Sequence, residues 1–298
     1  MTRMKLFLTI AFVFWLPGAA LAELDIVASS SSTGVLVREI AGDKANLKIL
    51  APPDRNLHYL QARPNMIRAL RRADLLLSLG GDLEVGWLPM AIKQSTNSRI
   101  QPGTSGYFEA AAQVNLLEVG GPADRSHGDV HPTGNPHVNM DPVRMAEVAT
   151  ALAERLAVLD SQHADIYRAR AREFSKRVDE RVSTWREQLS NPPGAVSFHK
   201  DVIYLLKRLD IPYWGSLEPV PGVPPTASHI STMVNELRGK KGVVLFTTYQ
   251  PEQAPAKFAD SLGWQQVRLP LEPPLDADGD GYLSHMQRWI DGLASASK

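Results

Sequence analysis

Histidine is the residue type in this chain whose number and spacing suggest chemistry. Three of the eight histidines fall within residues 127–137, among Gly, Pro, Asp and Asn. A stretch of such turn-forming residues does not belong in a hydrophobic core, so its histidines are candidates for binding a metal ion. Two further histidines, His58 and His199, share a pattern with His137. Each follows an apolar or Pro-rich segment and precedes a segment of helical character.

The position of these three histidines matters as much as their type. In open α/β sheets, ligands bind just beyond the carboxyl ends of the strands, which is where His58, His137 and His199 are expected. Taken singly, each is better explained as a capping or surface histidine. Three imidazoles from dispersed loops, however, form a ligand set that suits zinc, which is usually four-coordinate at about 2.0–2.1 Å. The spacing therefore predicts a zinc site.

Composition limits the alternatives. The 298 residues are enough for two domains, each with its own core. Lys+Arg and Asp+Glu balance at 32 each, so no global charge favours nucleic acid or an anionic membrane surface as a partner. The chain has no cysteine, which excludes disulfides, thiolate metal sites and a cysteine nucleophile.

The first 22 residues have the three parts of a secretory signal peptide. Arg3 and Lys5 supply a basic start, residues 6–16 form a short apolar run, and residues 20–22 read Ala-Leu-Ala. No later apolar run is long enough to span a bilayer. We expect a cleaved leader and a soluble protein of the periplasm.

The rest of the chain alternates between strand-like and helix-like segments, which is the α/β pattern. Strands are predicted at 24–28, 45–50, 74–79 and 114–119, and the pattern restarts after Gly194. Between the two runs, residues 160–190 form a long amphipathic stretch with hardly a helix breaker. We predict two α/β lobes joined by a long spine helix, with the metal site in the interlobe cleft. The predicted units are 23–141 (N-terminal lobe), 142–192 (helical segment with the spine) and 193–298 (C-terminal lobe).

Several of these motifs match those of one protein family. Residues 54–59 look like a first ligand loop, Glu84 and Trp87 fit the pattern Glu-x-x-Trp-Leu, and residues 136–142 read Pro-His-x-x-x-Asp-Pro. Residues 198–200, Phe-His-Lys, look like a third ligand motif. In these features the chain resembles the metal-specific solute-binding proteins of ABC importers, the TroA/ZnuA-like cluster A-I family. The likeness covers essentially the whole chain after the leader, and the nearest branch is AztC-like.

The resemblance implies a set of metal ligands. It makes His58, His137 and His199 ligands, and His199 stands where manganese-specific relatives carry a glutamate. Imidazole in place of carboxylate favours zinc, Zn(2+), over manganese. The family's fourth ligand is commonly a carboxylate in the last lobe. Here Asp276 fits by residue type and is slightly favoured, whereas Glu272 fits by register.

The resemblance also implies a role and partners. The protein would bind zinc with high affinity and deliver it to an ABC permease and its ATPase, as a monomer and without nucleic acid. His127 and His131 would assist metal capture, and a periplasmic zinc metallochaperone is a further candidate partner. A manganese importer component and a zinc-dependent periplasmic hydrolase are the alternatives. The hydrolase needs a general base beside the metal, yet the chain contains no H-E-x-x-H pair.

Two other features are interpreted as structural. Residues 276–281, Asp-Ala-Asp-Gly-Asp-Gly, imitate the start of an EF-hand loop, but the twelfth position is Gln287 instead of the bidentate Glu. We interpret the segment as a solvated acidic loop. His163, His229 and His285 lie in predicted helices and are interpreted as structural or solvent-facing.

Overall fold

The computed structural model describes residues 23–120 and 128–296. The predicted signal peptide and His127 lie outside these residues. The described chain forms two α/β lobes, each built on one sheet of four parallel strands. The predicted fold class is confirmed.

The N-terminal lobe is organised around β1 (Leu24–Ala28) and the buried β3 (Leu75–Ser78). The nearly unbroken run of leucines in β3 is typical of a parallel strand covered on both faces. The sheet order is β2-β1-β3-β4. The other elements are β2 (Ala45–Ile49), β4 (Tyr107–Glu109), α1 (Ser31–Ile40), α2 (Pro64–Arg72) and α3 (Leu88–Ser95).

The C-terminal lobe repeats this arrangement, with sheet order β6-β5-β7-β8. Its central strands are β5 (Gly194–Ser197) and β7 (Gly242–Thr247), and every residue of both is buried. In each lobe the first strand therefore lies between the second and the third. The remaining elements are β6 (Tyr213–Ser216), β8 (Gln265–Leu269), α6 (Ile203–Arg208), α7 (Ala227–Leu237), α8 (Gln253–Leu262) and α9 (Gly279–Ser295).

Two consecutive helices connect the lobes. Helix α4 (Pro142–Leu159) begins with Asp141 as its cap, whose carboxylate accepts the amide of Val143 at 3.1 Å, and with a proline at the first helical position. Helix α5 (Ala164–Gln188) is the predicted spine and buries Phe174 and Trp185 in a hydrophobic cluster that contains residues of both sheets. Among the described residues, no helix is both long and apolar enough to cross a membrane.

The strand predicted at residues 114–119 is wrong, and β4 takes its place in the sheet. The backbone of Leu117 has other partners: its amide donates to the Tyr204 hydroxyl at 2.9 Å, and its carbonyl accepts the Asn135 amide at 2.7 Å. Leu116 and Leu117 are partly buried because they pack on the core from a loop. Their apolar character is due to that packing and not to pairing in a sheet.

Candidate metal centre

Three histidines from distant parts of the chain meet between the lobes. His58 lies in a short 3-10 turn after β2, His137 lies just before α4, and His199 follows β5. One ligand nitrogen from each lies within 4.8 Å of the other two, and all three side chains are buried. The three rings pair at centroid separations of 5.3–5.4 Å. No other group of three candidate metal ligands this close is found in the described parts of the chain.

His58 and His137 are oriented by the same local device. Asn56 uses its side-chain oxygen to accept both the backbone amide of His58 (3.0 Å) and its Nδ1 (2.8 Å). Asn135 does the same for His137, at 3.0 and 2.9 Å. Each Nδ1 therefore carries the proton, and each Nε2 presents a lone pair to the centre. The repeated motif Asn-x-His signals this device in the sequence, and our sequence reasoning missed it.

His199 is oriented by a carboxylate instead. Its Nδ1 lies 2.7 Å from Oε2 of Glu218, which also accepts the Gly222 amide at 2.9 Å. Burial alone would lower the pKa of His199, but the hydrogen bond to Glu218 and the charges of Asp201 and Glu218 raise it above the ordinary value. Sequence reasoning also missed Glu218, which belongs to a Pro-rich loop with no recognisable motif.

His137 is perturbed in the opposite direction. Burial lowers its pKa well below the ordinary value, and the nearby charges of His199, His58 and His131 add to this effect. His137 is therefore neutral near pH 7, with its Nε2 lone pair available. A neutral imidazole is the form that binds metal ions.

A fourth histidine, His131, reaches the edge of this cluster. Its Nδ1 lies 3.1 Å from the carbonyl oxygen of Gly81, and its Nε2 lies 3.1 Å from Nε2 of His58. Because a carbonyl only accepts, Nδ1 of His131 must be the donor, and its Nε2 lone pair then faces that of His58. Two facing lone pairs require a proton or a metal ion between them.

The two carboxylates proposed as a fourth ligand have different surroundings. Glu272 is buried and accepts the Ser32 amide (2.7 Å), the Ser31 hydroxyl (3.2 Å) and the Asn139 amide group (3.0 Å). Burial raises the pKa of Glu272. The side chain also lines a cavity of about 10 Å³ together with His58 and His137, which is enough for roughly one water molecule.

Asp276 is exposed and is not a member of the histidine group. The structure therefore does not place Asp276, the slightly favoured fourth ligand, beside the three histidines. The prediction relied on residue type, but the chain between Glu272 and Asp276 contains two prolines and leads the aspartate to the surface. Two residues further on, Asp278 caps α9 by accepting the Gly281 amide at 2.9 Å.

The remaining described histidines are engaged locally. His163 Nδ1 lies 2.6 Å from Asp160, His229 Nε2 lies 3.0 Å from the Ser216 carbonyl, and His285 Nε2 lies 3.2 Å from the Leu271 carbonyl. None of the three is a member of the ligand group. Their positions agree with the structural role expected of them.

Comparisons with known proteins agree with this architecture. A family model described as "Zinc-uptake complex component A periplasmic" (ZnuA) matches residues 26–296. A manganese ABC transporter substrate-binding lipoprotein, PsaA of Streptococcus anginosus, is 24% identical over 287 residues, covering 91% of this chain and 88% of the relative.

Solved structures show the same fold. A zinc-bound deletion mutant of ZnuA superposes with a TM-score of 0.77 at 19% identity, covering 93% of this chain and 99% of the other. The solute-binding protein FpvC of Pseudomonas aeruginosa, in complex with Mn²⁺, gives 0.74 at 21% identity, covering 92% and 98%. With the family model matching nearly its whole length, this chain belongs to the ZnuA family of periplasmic metal-binding components of ABC importers.

Proposed function

We propose that this protein is a high-affinity zinc-binding component that delivers Zn(2+) to its ABC permease and ATPase. The main support for this proposal is that His58, His137 and His199 converge on one centre. Each has an oxygen acceptor on Nδ1, which leaves Nε2 to face the centre. A set of imidazole nitrogens suits zinc, whereas manganese prefers carboxylate, carbonyl and water oxygens. Members of this family bind solutes for transporters and are not enzymes, which removes the hydrolase alternative.

For the fourth position we propose His131, which would have to move towards the centre because it lies outside the group whose ligand atoms are within 4.8 Å of one another. Two nitrogens that bind one tetrahedral zinc ion at about 2.0–2.1 Å lie roughly 3.3 Å apart, and Nε2 of His58 and Nε2 of His131 are 3.1 Å apart. Glu272 is the second candidate, because it lines a cavity with His58 and His137 but already accepts three hydrogen bonds. Asp276 is the third.

We also propose a capture role for the segment that carries His127 and His131. His131 contacts the centre through His58, while its own side chain remains partly exposed. An ion that first binds His131 is then one short step from the three buried nitrogens. A periplasmic zinc metallochaperone is the partner that such a segment would suit. The protein would act as a monomer after cleavage of its signal peptide.

Competition titrations of the purified protein with a chromophoric chelator test the assignment of the metal. We expect one zinc ion per chain, bound far more tightly than manganese, and loss of that binding in the variant H58A/H137A/H199A. The second candidate function, manganese import, is favoured by the manganese named for PsaA. Equal or tighter binding of manganese would support it and contradict zinc as the cargo.

Stopped-flow loading tests the capture role separately. The variant H127A/H131A should take up zinc more slowly than the unmodified protein. H163A is the matched control, because His163 is hydrogen-bonded to Asp160 and lies outside the ligand group. If the double variant loads at the unmodified rate, the capture role is wrong even though the zinc assignment stands.

A further inference from the structure

A second cavity, separate from the histidine centre, lies at the carboxyl ends of β3 and β4. Its volume is about 140 Å³, an order of magnitude more than the 10–15 Å³ that a single water molecule needs. None of the residues that line it belongs to the histidine centre. They comprise a polar group and an apolar group: Ser78, Gly80, Asp82, Glu84, Tyr107 and Glu109, and then Val85, Leu88, Pro89 and Ile92.

The register of the two strands directs the polar side chains into this space. Ser78 pairs with Glu109, and Leu76 pairs with Tyr107. Because side chains alternate along a strand, Ser78, Tyr107 and Glu109 share the face on which Leu76 packs against α3. The Tyr107 hydroxyl donates to Oε1 of Glu109 at 2.6 Å.

Three acidic side chains contribute to the lining. Glu84 is buried and accepts the Ser29 hydroxyl (2.6 Å) and the amides of Leu79 (2.9 Å) and Gly80 (3.0 Å). Burial raises the pKa of Glu84 to about 7, so it is only partly ionised near neutral pH. Asp82 and Glu109 are half-buried. Burial raises the pKa of Tyr107, and the charges of Glu109, Glu84 and Asp82 raise it further, so all three carboxyl groups act at one place.

An independent observation points to a missing ligand. Ser78 is only 1% exposed, and its buried hydroxyl has no hydrogen-bond partner within the described parts of the chain. A buried hydroxyl without a partner is unfavourable, and a donor entering the cavity would satisfy it.

The lining indicates which class of ligand fits. In the described chain, the histidine group is the only place where three His, Asp or Glu side chains bring their ligand atoms close together, so the carboxylates of this cavity do not form such a cluster. The combination of an apolar wall with separated carboxylates instead suits a long basic side chain. Its aliphatic stem packs on apolar surface while its charged head meets the acids.

We infer that this cavity binds an arginine side chain presented by a protein partner. The planar guanidinium has five donors in a fixed arrangement, which can reach Asp82, Glu109 and the Ser78 hydroxyl together. The stem lies against Leu88 and Ile92 of α3. This inference does not depend on which metal the histidines bind.

An NMR titration of the zinc-loaded protein tests it, with N-acetyl-arginine methylamide as the probe. We expect saturable shifts at the amides of Ser78, Asp82 and Tyr107. The neutral isostere N-acetyl-citrulline methylamide should give none. The variant D82N/E109Q should bind the probe at least about tenfold more weakly. Asp82 has φ of +65°, which asparagine tolerates, so this variant keeps the backbone.

The control variant is D165N, which removes a fully exposed carboxylate on α5. It should bind the probe as the unmodified protein does. The inference is overturned if the probe gives no saturable shift up to 100 mM, if citrulline gives the same shifts, or if D82N/E109Q and D165N bind equally. It is also overturned if Ca²⁺ saturates the same amides and the probe does not displace it.

Discussion

The two lobes orient their histidines with different chemistry. The N-terminal lobe holds His58 and His137 with the neutral amide oxygens of Asn56 and Asn135, whereas the C-terminal lobe holds His199 with the carboxylate of Glu218. Both devices fix the tautomer and leave Nε2 for the metal. Only the carboxylate also changes the charge of the centre.

The two lobes therefore position their histidines in a similar way but differ in how they affect histidine protonation. The pKa of His137 is lowered, so this ring is ready for a metal ion over the whole neutral range. The pKa of His199 is raised, so this ring binds a proton more readily and would have to lose it before binding a metal ion. His137 is therefore insensitive to pH near neutrality, whereas His199 is not.

The largest loss of zinc affinity is expected when a proposed histidine ligand is removed from either lobe. H137A and H199A should each weaken zinc binding by more than about 100-fold, beyond what the loss of an orienting partner does. Chelator competition measures both, with H229A as the control because His229 is hydrogen-bonded to the Ser216 carbonyl. A small loss in one lobe only would show that the lobes do not share the ion.

Removing a side chain that orients a histidine should lower zinc affinity by about 10–100-fold. N135A should reduce zinc affinity without changing its pH dependence, because the amide carries no charge. E218Q should reduce affinity and also shift the pH dependence, since the Glu218 carboxylate, together with the charge of Asp201, raises the pKa of His199. Equal pH profiles for the two variants would contradict the proposed division of roles.

The pH dependence itself has a defined sign. As pH falls through the raised pKa of His199, its ring becomes protonated and zinc must displace that proton, so affinity should fall by up to about tenfold per pH unit. In E218Q the pKa of His199 is lower, and the fall should begin at a lower pH. Zinc titrations between pH 5 and pH 8 measure both curves. Affinity that rises on acidification would exclude His199 as a ligand.

The smallest effects are expected at the carboxylates of the last loop. E272Q should change zinc affinity by less than about threefold, because Glu272 already accepts hydrogen bonds from α1 and from Asn139. D276N should leave it unchanged. The same competition assay tests both, and a loss of 100-fold in either variant would make that carboxylate the fourth ligand in place of His131.

Much of the fold could be predicted because its signals are local. Each of these signals depends only on residues that are neighbours in the sequence. They are the leucine run of β3, the Asp141–Pro142 start of α4 and the helical spacing of apolar residues along α5. The three-residue strand β4 is too short to show a period, and the apolar segment at 114–119 was mistaken for it.

The candidate site likewise has a part that the sequence predicts and a part that it does not. His58, His137 and His199 each lie in a recognisable motif, and the structure brings them together as one group. The contact of His131 with the Gly81 carbonyl joins residues 50 positions apart, and Glu272 reaches the start of α1 across 240 positions. No local pattern encodes such contacts, because they depend on how the lobes pack.

The packing of the spine helix has a consequence for how a metal ion enters and leaves the site. Helices α1, α5 and α9 contact one another, and their buried side chains share one hydrophobic cluster with both sheets. Wide separation of the lobes would expose apolar surface in this cluster, at a cost of about 25 cal/mol for each Å². Segment 128–135, which carries His131, is itself held by backbone hydrogen bonds from Asp129 to Pro221 and from Asn135 to Leu117, both 2.7 Å long. We therefore expect metal exchange to proceed through local movements at the edge of the centre, without wide opening of the lobes.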